Sequence, residues 1–202
     1  PARCFVSKIE FCMAKTRTFI AVEATDSVHV QALQAIDRLQ PLAGNVKWVE
    51  PENLHWTLQF LGDLRDEELA EVCRRVGKTV TRSEPFTITA KGIGAFPRID
   101  RPRTLWLGVD EGSEEFCNLQ ARIEQDLESL GFRGERRAFV PHLTLGRGGT
   151  GSGDPQPLVN ALEKLLDYKG GQMEVEEVIV FSSESRRSGP LYLPLAHFKL
   201  GV

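Results

Sequence analysis

"PHLTLGR", residues 141–147, and "LHWTLQFLG", residues 54–62, each carry a His with a Thr two positions on and apolar residues between and after. The chain holds only four histidines, and these two lie 87 residues apart. In an extended strand, residues i and i+2 point to one face and their neighbours to the other. His55 and Thr57 therefore share a face, with Trp56 and Leu58 opposite. His142 and Thr144 do the same, with Leu143 and Leu145 opposite. The apolar set has a core to fill, which turns the His–Thr set toward a groove.

Outward from these strands the chain repeats itself. "RTFIAVEA" (17–24) reads as a buried strand, and Asp26 and Ser27 as N-cap types before the helical pattern "VHVQALQAIDRLQ". "NVKWVEP" is a short strand ahead of the His55 strand, which stops at Gly62. "DEELAEVCRRVGKTV" (66–80) is an amphipathic helix with acids in its first turn, where they suit the helix dipole. "PFTITAKGIGAFP" (85–97) is a strand ending in a Gly-rich turn. The order then restarts with the strand "RTLWLGVD" (103–110) and the helix "SEEFCNLQARIEQDLESLG" (113–131), capped by Ser113 and closed by Gly131. The His142 strand, a Gly-rich loop (148–157), the helix "PLVNALEKLLDY" and the strands "MEVEEVIVFSSES" and "GPLYLPLAHFKL" complete it.

The order β-α-β-β-α-β thus occurs over about 17–95 and again over about 103–184, with a last strand at 189–200. At the same offset of 87 residues Phe19 falls on Trp106 and His55 on His142. The expected fold is α+β, one bilobal domain over 13–202. Two duplicated lobes bring antiparallel sheets to a central cleft, with the helices outside. One His from each lobe meets the other in the cleft.

The whole chain narrows the function classes. It has 202 residues, 41% of them hydrophobic, and a formal net charge of −3. That balance lacks the basic footprint of a duplex-binding protein but allows a small pocket for one phosphate. No apolar run approaches the roughly 20 residues that cross a bilayer, so no membrane partner is expected. The start has neither a long apolar region nor a cleavage site, and no signal peptide is expected. Met13 looks like a natural start, which makes residues 1–12 an extension. Cys4, Cys12, Cys73 and Cys117 form no C-x-x-C pair and read as free thiols in a reducing cytoplasm. A monomer needs no further assumption.

Two imidazoles and two hydroxyls facing one another suit phosphodiester chemistry without a metal or other cofactor. A neutral His takes a proton from water, and a protonated His gives one to a leaving oxygen. Thr57 and Thr144 can donate to non-bridging phosphate oxygens, where charge gathers in the transition state. Two His with no Asp or Glu in either motif make a poor metal site, since three or four ligands are usual. The residues by themselves do not say which His is the acid. His29 and His197 lack a Thr two positions on and read as structural or surface residues. The runs "RIDRPRT" (98–104) and "RGERR" (133–137) read as solvated basic loops. Phe60 and Arg147 each lie five residues after their His, and strict alternation sends both to the face opposite the pair. Phe60 reads better as core than as site. Arg147 reaches the groove only if the strand bends or bulges at Gly146.

These residues resemble the 2H phosphoesterase superfamily, with its two H-x-T-x motifs in a duplicated fold. Within it the chain most resembles the RNA 2′,3′-cyclic phosphodiesterase (2′-5′ RNA ligase-like) branch. The resemblance covers nearly all of 17–200, through "RTFIAVE", "VKWVEPENLHWTLQFLGDL", "GIGAFP", "RPRTLWLGV", "FVPHLTLGR" and "SGPLYLPLAHFKL". It implies metal-independent hydrolysis of a terminal RNA 2′,3′-cyclic phosphate to a 2′-phosphomonoester, and 2′-5′ joining of ends as a weaker activity. It implies His55 as general acid, His142 as general base, and Thr57 and Thr144 on the phosphate. Its H-x-T-L-x-R pattern places Arg147, and by position Phe60, against the substrate. Two other readings stay open beside it: a non-catalytic module that binds a nucleotide or RNA end, and a diesterase for a small cyclic nucleotide.

Overall fold

The computed structural model describes residues 15–134, 137–148, 154–187 and 189–202. The expected extension at 1–12, part of the "RGERR" run and half of the Gly-rich loop lie outside the described residues. The elements in chain order are β1 (Thr16–Glu23), α1 (Asp26–Leu39), β2 (Lys47–Trp48), β3 (His55–Leu64), α2 (Asp66–Val80), β4 (Phe86–Arg98), β5 (Arg101–Val109), α3 (Ser113–Glu128), β6 (His142–Arg147), α4 (Gln156–Lys164), β7 (Lys169–Val175), β8 (Glu177–Arg186) and β9 (Gly189–Lys199).

All strand pairings are antiparallel, in the order β7-β4-β5-β6-β3-β1-β8-β9, with β2 attached to β6. The two expected sheets are joined into one curled sheet by a single residue pair at its centre, Trp56 opposite Leu143. Each flank of that junction draws strands from both repeats. β1 and β3 pair onward to β8 and β9, while β6 and β5 pair onward to β4 and β7. The repeats are therefore interleaved rather than laid side by side.

Local boundaries depart from the sequence reading where tertiary contacts decide them. The "NVKWVEP" strand shrinks to Lys47–Trp48, the length that meets β6. The strand expected over 173–185 divides at Glu176 into β7 and β8, which lie on opposite flanks of the sheet. Thr25 and Gly112, not Asp26, Ser27 or Ser113, occupy the N-cap positions of α1 and α3. β3 runs through Gly62 to Leu64.

The core lies between the sheet and the helices. Trp56, Leu143 and Leu145 are fully buried and Leu58 nearly so. They pack in one cluster with Val28, Ala32 and Ile36 of α1, Val72 and Val76 of α2, Phe116 and Ile123 of α3, and Leu158 and Leu162 of α4. The Trp56 and Phe116 ring centroids are 6.2 Å apart. Each such large side chain contributes roughly 1.5–3 kcal/mol on burial, so β3 and β6 cannot turn over without losing several of them.

The two central strands share one irregularity. From the His onward, both run partly buried, buried, partly buried, buried, buried, exposed. Two successive buried positions break the period of two. On β3 the register passes from Thr57 opposite Ala21 to Gln59 opposite Ile20, which skips Leu58. On β6 it passes from Thr144 opposite Trp106 to Gly146 opposite Leu105, which skips Leu145. Each skip is a β-bulge, an extra residue that reverses the facing of those after it, on β3 as far as a second skip at Leu61.

Gly146 lies close against Trp48 of β2 and the Val46 before it. A Cβ there would lie 2.6 Å from Val46 Cγ1 and 2.9 Å from Trp48 Cε3. Gly146→Ala is expected to lower stability by about 1–3 kcal/mol, the usual cost of overpacking. Urea unfolding at fixed m-value reads this directly. An unchanged midpoint would show that β2 yields freely and does not hold the bulge.

Candidate active site

The core-facing set leaves His55, Thr57, His142 and Thr144 on the groove face. All four are partly buried. Because Trp56 faces Leu143 in an antiparallel pair, the neighbours cross over. His55 comes beside Thr144, and Thr57 beside His142. Trp56–Leu143 is the one pair in register between the two strands.

Both imidazoles are oriented in the same way. His55 Nδ1 lies 2.7 Å from the Asn53 carbonyl oxygen, and His142 Nδ1 lies 2.7 Å from that of Val140. A carbonyl only accepts, so Nδ1–H is the donor in each case. The tautomer is thereby set, and Nε2 is the basic nitrogen of each ring. The chain before each strand makes this contact possible, because it turns the carbonyl two residues back toward the ring.

The surroundings of the two rings differ. His55 lies against the Phe19 ring at 4.9 Å, edge-on to Tyr192 at 5.3 Å, and 6.4 Å from Phe181. Phe19, Ala21, Ile179 and Phe181 form a second apolar cluster on the groove face, with Tyr192 against it. Desolvation there, with repulsion from Arg147 and His142, lowers the His55 pKa to about 4 despite the Asn53 hydrogen bond. The same burial pushes the Tyr192 hydroxyl up, against the pull of Arg147 and Arg17. His142 meets the Phe96 ring edge-on at 5.0 Å and Trp106 at 6.4 Å.

The bulges place the two residues that strict alternation sends elsewhere. Phe60 is 57% exposed and lies 5.9 Å from the Phe19 ring, so it is not a core residue. Arg147 is exposed and near enough to His55 and Tyr192 to act on both electrostatically. Among the described residues it has no carboxylate partner. The skip occurs at Leu145, one residue before the Gly146 at which the sequence allowed a bend.

His29 is held by the Pro51 carbonyl, and His197 lies 3.1 Å from the Glu177 carboxylate. Neither is near the other two. Burial raises the thiols of Cys73 and Cys117, both free, away from reactive thiolate character. Among the described residues no three His, Cys, Asp or Glu gather as a set of metal ligands. Among the described residues no helix is long and apolar enough to cross a membrane. The aromatic residues around the imidazoles went unread in the sequence. The one signal was the offset of 87, which already matched Phe19 to Trp106.

A family model described as LigT-like phosphoesterase matches the chain twice in succession, over residues 22–106 and 107–192. An RNA 2′,3′-cyclic phosphodiesterase of Methanothermobacter thermautotrophicus is 38% identical over 188 residues, covering 92% of this chain and all of that one. One of Aquifex aeolicus is 34% identical, covering 94% of this chain and all of that one. Among solved structures, a Thermus thermophilus protein superposes with a TM-score of 0.77 at 27% identity, over 92% of this chain and 98% of its own. The fold is also that of Escherichia coli LigT complexed with 3′-AMP, with a TM-score of 0.76 at 23% identity, over 93% and 99%.

The depressed His55 pKa has a definite sign in stability. The unfolded chain takes up this proton near pH 6.5 and the folded chain only near 4. The unfolded state therefore binds more protons between those values, and stability falls as pH drops through that window, by up to about 3 kcal/mol. Ring-proton NMR of His55 is expected to titrate near 4, and Arg147→Gln to move the midpoint upward. A midpoint at the ordinary 6.5 in the native protein would contradict the desolvated setting.

Proposed function

We propose that this chain, which belongs to the LigT-like phosphoesterase family, hydrolyses RNA 2′,3′-cyclic phosphate ends to 2′-phosphomonoesters by two-histidine acid–base catalysis. The observation that carries this reading is the pair of imidazoles across the groove. Each donates through Nδ1, which makes Nε2 its basic nitrogen, and each is level with a Thr of the opposite strand about the Trp56–Leu143 pair.

In this reading the phosphate sits between the imidazoles, and the Thr57 and Thr144 hydroxyls donate to its non-bridging oxygens. Nε2 of His142 takes a proton from the attacking water. Nε2–H of His55 gives one to the 3′-oxygen as its bond to phosphorus breaks, leaving the phosphate on the 2′-oxygen. Arg147 adds positive charge beside the phosphate, and Phe60 offers an apolar face at the rim. The acid role of His55 requires that substrate supply what the ligand-free site withholds. A bound phosphodiester brings a negative charge next to Nε2. It offsets the repulsion from Arg147 and raises the proton affinity of His55 on binding. A 5′-hydroxyl in place of water gives a 2′-5′ joined product, the weaker activity.

An RNA ending in a 2′,3′-cyclic phosphate, incubated with and without EDTA, tests the proposal. Full turnover to a 2′-phosphate in EDTA is expected. His55→Ala and His142→Ala are each expected to lose about 10²–10⁴-fold, and Thr57→Val and Thr144→Val about 10–10³-fold. Full activity in either His variant would end the two-histidine mechanism. Tight binding without product would favour a binding module instead.

A further inference from the structure

We infer that Asn53 is a positioning residue for His55, holding its ring in place through a side-chain hydrogen bond to the β8–β9 hairpin; this rests on the two-histidine reading above. The Asn53 carbonyl accepts the His55 Nδ1–H at 2.7 Å. The side chain of the same residue donates Nδ2–H to the Pro190 carbonyl at 3.1 Å, across 137 positions of sequence. Asn53 is 7% exposed, and a buried amide is kept where it is paired.

What Asn53 grips is the strand that walls the ring. Pro190 is the second residue of β9, and Tyr192, two positions on, meets the His55 imidazole edge-on at 5.3 Å. One residue thus ties the ring and its wall together. The turn it belongs to, Pro51–Asn53, is a single helical turn of three residues. Its own bonds run from Asn53 N–H to the Glu50 carbonyl at 2.9 Å and from Leu54 N–H to the Pro51 carbonyl at 3.2 Å. From α1, His29 Nε2–H donates to the Pro51 carbonyl. The Asn53 amide anchors the other end, the one that faces His55.

The two histidines differ in this respect. The position 87 residues after Asn53 is Val140, which supplies the corresponding carbonyl to His142 and whose side chain has nothing to donate. At His55, burial keeps the ring neutral down to about pH 4. A neutral imidazole has two tautomers, and the rings of Phe19, Phe181 and Tyr192 around it do not choose between them. The bond to the Asn53 carbonyl makes that choice. A carbonyl free to drift would let the ring turn, and the orientation that proton transfer needs would be lost.

Nitrogen NMR of the His55 ring at neutral pH, together with kinetics on an RNA ending in a 2′,3′-cyclic phosphate, tests this in the native protein, Asn53→Ala and Asn53→Gln. The native ring is expected in the Nδ1–H form alone. Asn53→Ala keeps the backbone carbonyl and loses the amide. It should show both tautomers at His55, leave the His142 ring as it was, and lower kcat by about 10–100-fold with KM changed less than about 3-fold. Asn53→Gln, which keeps an amide donor, should recover part of both. A mixture of tautomers in the native protein overturns the inference without any variant. So does a folded Asn53→Ala that keeps the single tautomer or the native kcat, which would leave Asn53 a purely structural residue. Should Asn53→Ala not fold, Pro190→Gly at an exposed position loosens the acceptor instead. A partial mixture at His55 is then expected, and an unchanged tautomer overturns the inference. No turnover by the native protein overturns the cyclic-phosphate reading, while the ring nitrogens still decide whether Asn53 holds His55.

Discussion

Trp56, Leu58, Leu143 and Leu145 have to stay under the helices, and that burial fixes where the His and Thr side chains go. Strand geometry gives each of them a neighbour on the opposite face, and those neighbours are His55, Thr57, His142 and Thr144. The Trp56–Leu143 pair then sets the distance between the two motifs, since it is the one register contact between β3 and β6. The constraint is an apolar one, built from residues that take no part in the chemistry. A substitution in this set disturbs the groove through its floor.

Equivalent motifs do not make equivalent histidines. Both rings donate Nδ1–H to the carbonyl two residues back. Yet His55 sits in an apolar cluster made by β1, β8 and β9, while His142 faces Phe96 and Trp106 from β4 and β5. The interleaved topology causes the difference. Because β8 and β9 return to pair beside β1, the last quarter of the chain furnishes the surroundings of a His near residue 55. On the proposed reaction, the packing around His55 withholds the proton that its acid role needs, and a bound phosphodiester has to supply the opposing charge.

The His–Thr facing was legible because a period of two is a local property. So was α2, whose acids, apolar spacing and bounds at 66–80 all lie within one segment. What was not legible depended on distant partners. The bulges at Leu58 and Leu145 exist only as a mismatch with β1 and β5, so neither strand announces them. Phe60 therefore read as core and Arg147 stayed conditional. The break at Glu176 has the same origin, since β7 and β8 part toward opposite flanks of the sheet. The residues that wrap His55 come from Phe181 and Tyr192, more than a hundred residues away in sequence.

The paired bulges also decide where the fifth residue after each His faces. Both strands use the same device to bring that residue back to the groove, and they bring different chemistry: Phe60 on one side, Arg147 on the other. Two arginines would set two uncompensated cations around a single phosphodiester charge and depress both imidazoles. Two phenylalanines would leave the phosphate with neutral donors alone. On the proposed reaction, one of each gives a single cation for a single anion, and its field falls on His55, the ring already short of water. The duplication built a symmetric frame, and divergence at this one pair of positions gave it a direction.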